Sequence, residues 1–459
     1  MESGGLLRFR RPPVLLCPRA GVSTQGKGSE GAVPIDLETR WQALDERIRG
    51  FWDEDLHRAG EREVADDPGG TLLFLPFPYS TAGGSEAAFP EMYCWDTFFI
   101  NLGLLAHGRA DIVRGHVDNQ LYQVMRHGFV PNGNRTFYLT RSQTPLLGPS
   151  VERYAAASGD RARLAAAFPL LAREYVEYWC APHHTTPSGL ATCRDAGDPQ
   201  RRPELAAEAE AGLDFTAIFG GDVRRCAPLQ VNCALVRYAR AIAAAAAAAG
   251  RDGEVGRWEA EAEARAEKVR ELCWDEAAGF FFEFDHERGA RLPYWSLCAY
   301  WTLWAGVATP EQARRMTGHL VRFETPHGLA FTPEAYPSPH PEYGWVQWGH
   351  PCGWPPAHLV VVEGLDACGF AEDARRIAEK FLRLQVETYE RTGQLWEKYN
   401  VVDGSLDFPL ERYLVPPMHG WSSASVAVLG RRAFGAGCVR PRPPRRAGGR
   451  AAAADSRPP

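Results

Sequence analysis

The sequence lacks the short motifs by which most nucleotide- and metal-dependent enzymes are recognised. It contains no HExxH zinc motif, no Walker phosphate loop, no GxGxxG dinucleotide fingerprint and no GxSxG nucleophile elbow. Its 13 histidines do not cluster at the spacings of metal ligands. The adjacent pair at 183 and 184 is better explained as a polar loop. We therefore predict no metal and no cofactor.

The sequence also lacks an excess of one charge and a long apolar run. Its 459 residues carry a formal net charge of −6, which gives no basic footprint for nucleic acid. No apolar run reaches the roughly 18 residues that a membrane span requires. With 45% hydrophobic and 24% charged residues, the composition is that of a globular protein. Neither nucleic acid nor membrane is predicted as a partner, and no oligomeric state follows from these numbers.

The eleven cysteines form no CxxC pair, and their number is odd. Several lie beside apolar neighbours inside predicted helices, for example Cys233, Cys273 and Cys298. Free, buried thiols in a reducing compartment explain this distribution most simply. The cytoplasm is the predicted location.

The two ends of the chain differ in composition from its middle. The first 28 residues hold five basic residues and one acid, which fits either an organelle-targeting peptide or a disordered or wrongly assigned start. Residues 437–459 are mostly Arg, Pro, Ala and Gly and are predicted to form a disordered tail. We predict an N-terminal segment at 1–33, one domain at 34–436 and this tail.

Helical periodicity dominates the predicted domain. Apolar residues recur at three- and four-residue steps in about a dozen segments, and strand–helix alternation of the Rossmann type is absent. A short strand or hairpin arm is predicted at 279–285, and residues 182–203 are predicted to be irregular. The pairing of helices across long loops fits an α/α toroid or a helical solenoid. The predicted helices are 34–58, 95–105, 112–125, 151–157, 161–179, 228–248, 254–273, 294–305, 310–321, 355–365, 371–388 and 421–434.

Two stretches mix aromatic, charged and amide residues in a way that suits neither a surface loop nor a plain core. They are EMYCWDTFF at 91–99 and PNGNRTFYLTRSQ at 131–143. Fourteen tryptophans, clustered towards the C-terminal half, add to this picture. Together they indicate a concave site for a small, neutral molecule rich in hydroxyl groups.

Two carboxylates have the surroundings needed for acid–base chemistry. Asp214 lies between Leu213 and Phe215, so its neutral form is favoured and it can hold a proton. Glu397 precedes Lys398 and should stay ionised more readily. One proton donor and one ionised base are the equipment for cleaving an acetal. Taken alone, either carboxylate is more often a helix cap or a surface charge.

Five separated stretches resemble the motifs of the trehalases, which are inverting α-glucosidases with an (α/α)6 toroid. The resemblance runs from about residue 72 to 430, and five motifs in the family's order are far more specific than any one of them. EMYCWDTF at 91–98 resembles PGGRFxExYxWDxY, and residues 131–143 resemble PNGNRxYYLxRSQPP. EAGLDF at 210–215 resembles ESGWDFS, QWGHPCGWPP at 347–356 resembles QWDxPxGWxP, and WEKYN at 396–400 resembles FEKYD.

The resemblance implies an all-α (α/α)6 barrel with long active-site loops and minor β hairpins. It implies that Asp214 is the general acid and Glu397 the general base, about 6.5–9.5 Å apart as in other inverting sites. The implied sugar-binding residues are Trp95, Asp96, Asn132, Arg141, Gln347 and Trp348, with Glu411 as a further contact. An Arg-Pro-Glu stretch adds Arg202 and Glu204.

The sequence departs from the family pattern at several places that grip the substrate. Ala88 and Ile218 stand where the family has arginine, Leu213 replaces a tryptophan, and Gly349 replaces an aspartate. We interpret these departures as a preserved catalytic mechanism combined with an altered substrate-binding pocket.

The first substrate implied is α,α-trehalose. The alternative is another small α-glycoside, mannosylglycerate or glucosylglycerate, whose carboxylate could meet Arg135 and Arg141. A non-catalytic sugar-binding protein is the least favoured hypothesis, because both carboxylates are present.

Overall fold

A computed structural model describes residues 36–83, 89–197, 203–409, 411 and 413–435. Within them the chain forms fifteen α-helices. In chain order these are α1 (Leu37–Glu54), α2 (Glu61–Ala65), α3 (Cys94–Ala106), α4 (Ala110–His127), α5 (Leu147–Ser158), α6 (Arg161–Glu174), α7 (Pro203–Glu210), α8 (Leu229–Ala248), α9 (Asp252–Cys273), α10 (Trp301–Trp304), α11 (Pro310–Thr317), α12 (Leu320–Phe323), α13 (Pro355–Ala367), α14 (Ala371–Thr392) and α15 (Gly420–Phe434).

Six of these helices form a closed inner ring. Each of α3, α5, α8, α10, α13 and α15 packs against the next, and α15 returns to pack against α3. An outer layer surrounds this ring and consists of α1, α4, α6, α9 and α14, with α11 and α12 together in the sixth outer position. Outer and inner helices therefore alternate along the chain as six pairs, which is an (α/α)6 toroid, as the resemblance implied.

The burial of each helix explains the layer in which it lies. Fifteen of the 20 residues of α8 are buried, including most of its alanine run, whereas only six of the 22 residues of α9 are buried. A helix that is apolar nearly all round must be surrounded by protein, and an amphipathic one can face solvent. By length and composition α8 is apolar enough to cross a membrane, but 72% of its apolar window is buried inside the protein.

One glycine allows the ring to close. A Cβ at Gly103 of α3 would lie 2.6 Å from the Cα of Ala424 in α15. The two inner helices therefore approach each other with only a hydrogen atom between their backbones. Any larger residue at 103 would force α3 and α15 apart.

The strands are all two residues long and lie in the connections between helices. They pair antiparallel as β1 with β2, β4 with β5, β8 with β9, β10 with β11, and β3–β6–β7 as one sheet. The strands are β1 (Leu56–His57), β2 (Tyr79–Ser80), β3 (Cys226–Ala227), β4 (Trp274–Asp275), β5 (Phe280–Phe281), β6 (Phe284–Asp285), β7 (Ala290–Arg291), β8 (Glu324–Thr325), β9 (Gly328–Leu329), β10 (Cys352–Gly353) and β11 (Tyr399–Asn400). In the β10–β11 pair, Cys352 is opposite Asn400, so two distant loops are held side by side.

Most predicted helices are found, with some changes at their ends. The segment predicted as one helix at 294–305 is a 3-10 turn at Leu297–Tyr300 followed by the four-residue α10, and the segment at 161–179 is α6 followed by a π-helical turn at Tyr175–Trp179. The segment predicted as one helix at 310–321 is α11 and α12, separated by Gly318 and His319. The predicted arm at 279–285 contains β5 and β6. The short helices α2 and α7 were not predicted; α7 begins at the end of the stretch predicted to be irregular. The segments predicted at 1–33 and 437–459 lie outside the described residues.

Candidate active site

A cavity of about 840 Å³ is lined by the loops that connect the helices of the toroid. Eight of the residues predicted from the sequence line it: Asp214, Glu397, Trp95, Asp96, Asn132, Arg141, Gln347 and Trp348. These residues come from chain segments up to 302 positions apart, and the toroid brings them to one place.

The stretches at 91–99 and 131–143 are joined to each other by hydrogen bonds of backbone and side-chain amides. The amide nitrogen of Cys94 donates to the Asn132 carbonyl at 3.0 Å. The amide nitrogen of Trp95 donates to Oε1 of Gln143 at 3.2 Å, which satisfies a free donor in the first turn of α3. The first helical turn therefore presents Trp95 and Asp96 to the cavity from a fixed position.

Asp214 lies in a sharply bent loop directly after α7. Gly212, two residues earlier, has a φ of +74°, and a Cβ there would lie 2.9 Å from the ring of Trp95. Phe215, directly after Asp214, has a φ of +61°, the only positive φ among the described non-glycine residues. Such backbone persists only where its surroundings hold it in place, and it is often found at active sites.

Hydrogen bonds from a second loop hold this conformation. The Phe215 carbonyl accepts from the amides of Gln347 at 2.8 Å and Trp348 at 3.3 Å. Thr216 donates through its hydroxyl to the Trp348 carbonyl at 2.9 Å and through its amide to Oε1 of Glu208 at 2.5 Å. The motifs at 210–215 and 347–356 therefore form one unit around Asp214.

Glu397 is 4% exposed and is held from three sides. Its Oε1 accepts from the Tyr413 hydroxyl at 2.8 Å, its carbonyl accepts from Nε1 of Trp421 at 2.9 Å, and its amide donates to the Pro416 carbonyl at 3.2 Å. Its other oxygen, Oε2, has no protein partner within the described part of the chain. The carboxylate thus has a fixed orientation and one oxygen available to a ligand.

Burial raises the pKa of Glu397 to about 7. Lys398 and the Tyr413 hydroxyl lower that pKa, whereas Glu411 and Asp214 raise it. The sequence-based expectation about Lys398 has the correct direction, but desolvation is the larger cause. Glu397 therefore changes its charge near neutral pH.

Lys398 is fully buried and bound to a second acid. Its Nζ lies 2.5 Å from Oε1 of Glu411 and 4.7 Å from the centre of the Trp354 ring. Glu411, predicted as a sugar contact, is not among the residues that line the cavity. Burial raises the pKa of Glu411, and its Oε1 is the partner of Lys398.

Asp96 is 5% exposed, and its pKa is raised to about 8. Desolvation is the main cause, and the nearby charges of Glu397 and Asp214 add to it. Asp96, Asp214 and Glu397 thus face one cavity and feel each other's charge, so their protonation states depend on each other.

Four tryptophans form one continuous wall of the cavity. Trp348 stacks on Trp354 with ring centres 3.8 Å apart and planes within 7°. Trp95 contacts Trp348 at 5.6 Å and Trp421 at 6.1 Å. Flat apolar surfaces beside carboxylates and amides match the alternating C–H faces and hydroxyl edges of a pyranose.

Arg141 lines the cavity but already has partners. Its Nε donates to Oδ1 of Asn132 at 3.1 Å, and its Nη1 pairs with Asp195 at 2.5 Å. Glu210, which is fully buried, supports this pair from behind, because it accepts from the amides of Ser142 at 2.9 Å and Arg194 at 2.6 Å.

Arg135 does not line the cavity, which corrects its suggested role opposite a carboxylate. Its Nε donates to Oε1 of Glu91 at 2.9 Å, and its Nη1 donates to Oδ1 of Asp67 at 2.8 Å. The guanidinium therefore ties two loops together and is not available to a substrate.

The predicted Arg-Pro-Glu contact stays a prediction for Arg202. Arg202 lies outside the described residues. Glu204 lies in the first turn of α7 but does not line the cavity, where α7 instead presents Leu205, Ala206 and Ala209. Ile218, at a position where an arginine was expected, is fully buried in the core.

Several lining residues were not predicted from the sequence, chiefly Tyr93, Tyr138, Asp195, Tyr343, Trp345, Tyr413 and Trp421. The run YGWVQW at 343–348 carried a signal, since its aromatic residues precede the predicted Gln347. Asp195 and Tyr413 carried none, because only the fold brings them to the cavity. No cluster of three or more His, Cys, Asp or Glu with metal-binding geometry occurs in the described ranges.

The fold and the cavity define an (α/α)6 toroid with a carboxylate-bearing, tryptophan-walled site. Comparison with known proteins gives the particular family. The family model described as Trehalase matches residues 32–210 and 207–430. The chain belongs to the trehalase family.

Similar proteins include the periplasmic trehalase of Pseudomonas aeruginosa, which is 30% identical over 81% of this chain and 73% of that protein. A probable trehalase of Eremothecium gossypii is 30% identical over 73% of this chain and 54% of its own length. The cytosolic neutral trehalase of Kluyveromyces lactis is 28% identical over 73% and 52%, respectively. The chain thus spans about half the length of these two fungal relatives.

Among solved structures, the neutral trehalase Nth1 of Saccharomyces cerevisiae superposes with a TM-score of 0.68 and 26% identity, over 78% of this chain and 74% of that one. A GH63 mannosylglycerate hydrolase of Thermus thermophilus superposes with a TM-score of 0.56 over 86% and 99% of the two chains. At 18% identity, this second likeness shows the fold alone.

Proposed function

We propose that the protein hydrolyses the α-glycosidic bond of α,α-trehalose to glucose with inversion at the anomeric carbon. The observation that carries the proposal is that Asp214 and Glu397, from motifs 183 positions apart, line one cavity. Membership of the trehalase family and the likeness to the named trehalases support the choice of sugar.

In the proposed reaction, Asp214 donates its proton to the glycosidic oxygen as the bond to the anomeric carbon breaks. Glu397 accepts a proton from a water molecule, whose oxygen attacks that carbon from the opposite face of the ring. One glucose is released in the β configuration, and the other leaves with the proton of Asp214. The water supplies the hydroxyl group and one proton, so the atoms balance and Glu397 ends the step protonated.

The remaining lining residues take the role of sugar binding. We assign the tryptophan wall to the apolar faces of the sugar rings and Asp96, Asn132 and Gln347 to hydroxyl groups. Arg141 binds from its fixed position beside Asp195. Glu411 is assigned an indirect role, because it holds Lys398 near Glu397.

The alternative substrate, a glycosylglycerate, is disfavoured by the charges. Arg141 is the only cation among the lining residues that the structure describes, and Asp195 already neutralises it. Arg135 is engaged by Asp67 and Glu91. A carboxylate leaving group would enter a cavity that already carries several acids and would have to displace an existing ion pair.

We further propose a cytoplasmic location. The nine cysteines in the described ranges are all free thiols, and seven of them are buried. The named relatives include both cytosolic and periplasmic trehalases. The division into a segment at 1–33, a domain at 34–436 and a tail at 437–459 is likewise proposed from composition.

The function is tested by proton NMR of the purified protein with a panel of small α-glycosides. The anomeric signals separate α- from β-glucose before the two forms equilibrate. We expect early release of β-glucose from trehalose and no turnover of mannosylglycerate. Turnover of glycosylglycerates alone would overturn the choice of substrate, and early α-glucose in excess would overturn inversion.

A further inference from the structure

The part of the cavity wall that α7 and Phe215 form beside Asp214 is apolar and aromatic. The helix α7, which leads into the Asp214 loop, contributes Leu205, Ala206 and Ala209 to the lining, and Phe215 follows the acid directly. None of these side chains can donate a hydrogen bond to a hydroxyl group. This wall therefore differs from the wall around Glu397, where carboxyl, hydroxyl and indole N–H groups are concentrated.

Trp345 extends this apolar wall across the cavity. Its ring packs edge-on against Phe215 with centres 5.6 Å apart and planes at 90°, and Tyr343 stacks on it at 5.2 Å with planes within 21°. Both rings are partly exposed and line the cavity. Because the amides of Gln347 and Trp348 bind the Phe215 carbonyl, the loop that carries Trp345 is fixed relative to Asp214.

The proposed chemistry assigns this wall to the leaving group. A general acid must reach the glycosidic oxygen, so the leaving group lies on the side of Asp214, whereas the base acts from the opposite face of the ring being cleaved. The leaving group thus meets the rings of Phe215, Tyr343 and Trp345. The buried Ile218 cannot supply the charged hydrogen-bond donor expected at its position.

We propose that Trp345, supported by Tyr343 and Phe215, is a stacking platform for the leaving group. It selects uncharged leaving groups that have an apolar or aromatic face. Aryl α-glucosides are then substrates in addition to trehalose, whereas an anionic leaving group finds no partner on this wall. The proposal rests on the proposed function, because it uses Asp214 as the acid.

The test compares kcat and KM for trehalose, para-nitrophenyl α-glucoside and α-glucosylglycerate. The wild-type protein should hydrolyse the first two and not the third. Trp345→Ala should raise KM for the aryl glucoside on the order of 10- to 100-fold with a smaller change in kcat, since stacking binds the ground and transition states alike. Trp345→Phe keeps an aromatic face and should restore most of the affinity.

Phe74→Ala is the matched control, because Phe74 is a partly exposed aromatic residue that does not line this cavity. It should leave every constant unchanged. If Trp345→Ala does not fold, as judged by circular dichroism, Tyr343→Leu removes the stacked support and should raise the same KM. Unchanged constants in the variant that folds, or a preference for α-glucosylglycerate, would overturn the platform.

A failure of the proposed function gives a different result. In that case the wild-type protein hydrolyses α-glucosylglycerate alone or none of the three compounds. Calorimetric titration with para-nitrophenyl α-glucoside then tests the platform separately. Weaker binding to Trp345→Ala than to the wild type supports it, and equal or absent binding overturns it.

Discussion

At the scale of single residues, the site depends on how burial sets the charge of each carboxyl group. Glu397 and Asp96 have pKa values raised to about 7 and about 8, so both can be neutral at pH 7. The proposed base must be ionised to accept a proton. The contacts that lower the pKa of Glu397, from Lys398 and Tyr413, are therefore as important as the carboxylate itself.

The first prediction separates the acid from the base. Asp214→Asn and Glu397→Gln should each lower kcat for trehalose by about 10²–10⁴-fold, because each removes one proton transfer. On α-glucosyl fluoride, whose fluoride leaves without protonation, Asp214→Asn should lose much less activity than Glu397→Gln. Glucose release from both substrates is the measurement, with thermal melts to verify folding. Near-normal trehalose turnover by either variant would remove that residue from the mechanism.

The second prediction concerns the hydrogen bond from Tyr413 to Glu397. Tyr413→Phe removes a donor 2.8 Å from Oε1 and so raises the pKa of Glu397 above about 7. Since the base acts only when ionised, the acidic limb of the kcat/KM profile should move up by about one pH unit, the value of one hydrogen bond. At high pH, activity should approach that of the wild type.

Tyr138→Phe is the control for this profile, because the Tyr138 hydroxyl lies beside that of Tyr93 and not beside Glu397. The control should change the height of the profile without moving its acidic limb. The same limb position in Tyr413→Phe and wild type would show that the hydrogen bond does not set the charge of Glu397.

At the scale of elements, the sequence predicted the helices better than the loops. The apolar periodicity of α14 and the alanine-rich run of α8 were sufficient to predict these two helices. A helix buried on one face or on all faces has a characteristic pattern of apolar residues in its own sequence. The helix α7 begins at the end of the stretch predicted to be irregular, 182–203, and was missed. The division of α11 from α12 was missed as well, since a single glycine does not reliably end a helix.

The loop geometry could not be predicted, because it depends on pairings between distant segments. The β10–β11 pair places the loop of Trp354 beside that of Lys398, and it consists of two residues on each side. Such short strands have no periodic signature. The resemblance to a family supplied Asp214 and Glu397, whereas Tyr413 and Trp345 entered the site only through these tertiary contacts.

At the scale of the whole molecule, two buried carboxyl groups outside the cavity connect parts of the toroid. Glu174, at the end of α6, accepts from the Val130 amide at 2.8 Å and from the Tyr238 hydroxyl of α8. Glu283 accepts from the Leu229 amide at 2.7 Å, at the start of α8. Burial raises their pKa values to about 7 and about 8, respectively. The stability of the folded toroid should therefore depend on pH.

Whether stability rises or falls with pH depends on which state, folded or unfolded, binds more protons. The ordinary pKa of a glutamate is 4.5, and that of Glu283 in the folded protein is about 8, so the folded protein binds the extra proton between these values. Its favourable contribution is complete below pH 4.5 and is lost as the pH rises through about 8. Glu283→Gln keeps the shape of the neutral acid and cannot ionise. The unfolding free energy of this variant should equal that of the wild type near pH 4.5. At pH 8.5 it should be higher than that of the wild type by a few kcal/mol, on the order expected for such a pKa shift.

Urea unfolding at both pH values measures this difference, with Glu259→Gln on the exposed side of α9 as the control. The control should follow the wild type at both pH values. If Glu283→Gln instead ran parallel to the wild type, ionisation of Glu283 would not be what weakens the toroid in alkali. A variant less stable at both values would mean that its amide clashes at the start of α8. A gain in unfolding free energy that occurs only at high pH requires a glutamate that is buried and neutral in the wild type. A change in packing alone would not depend on pH.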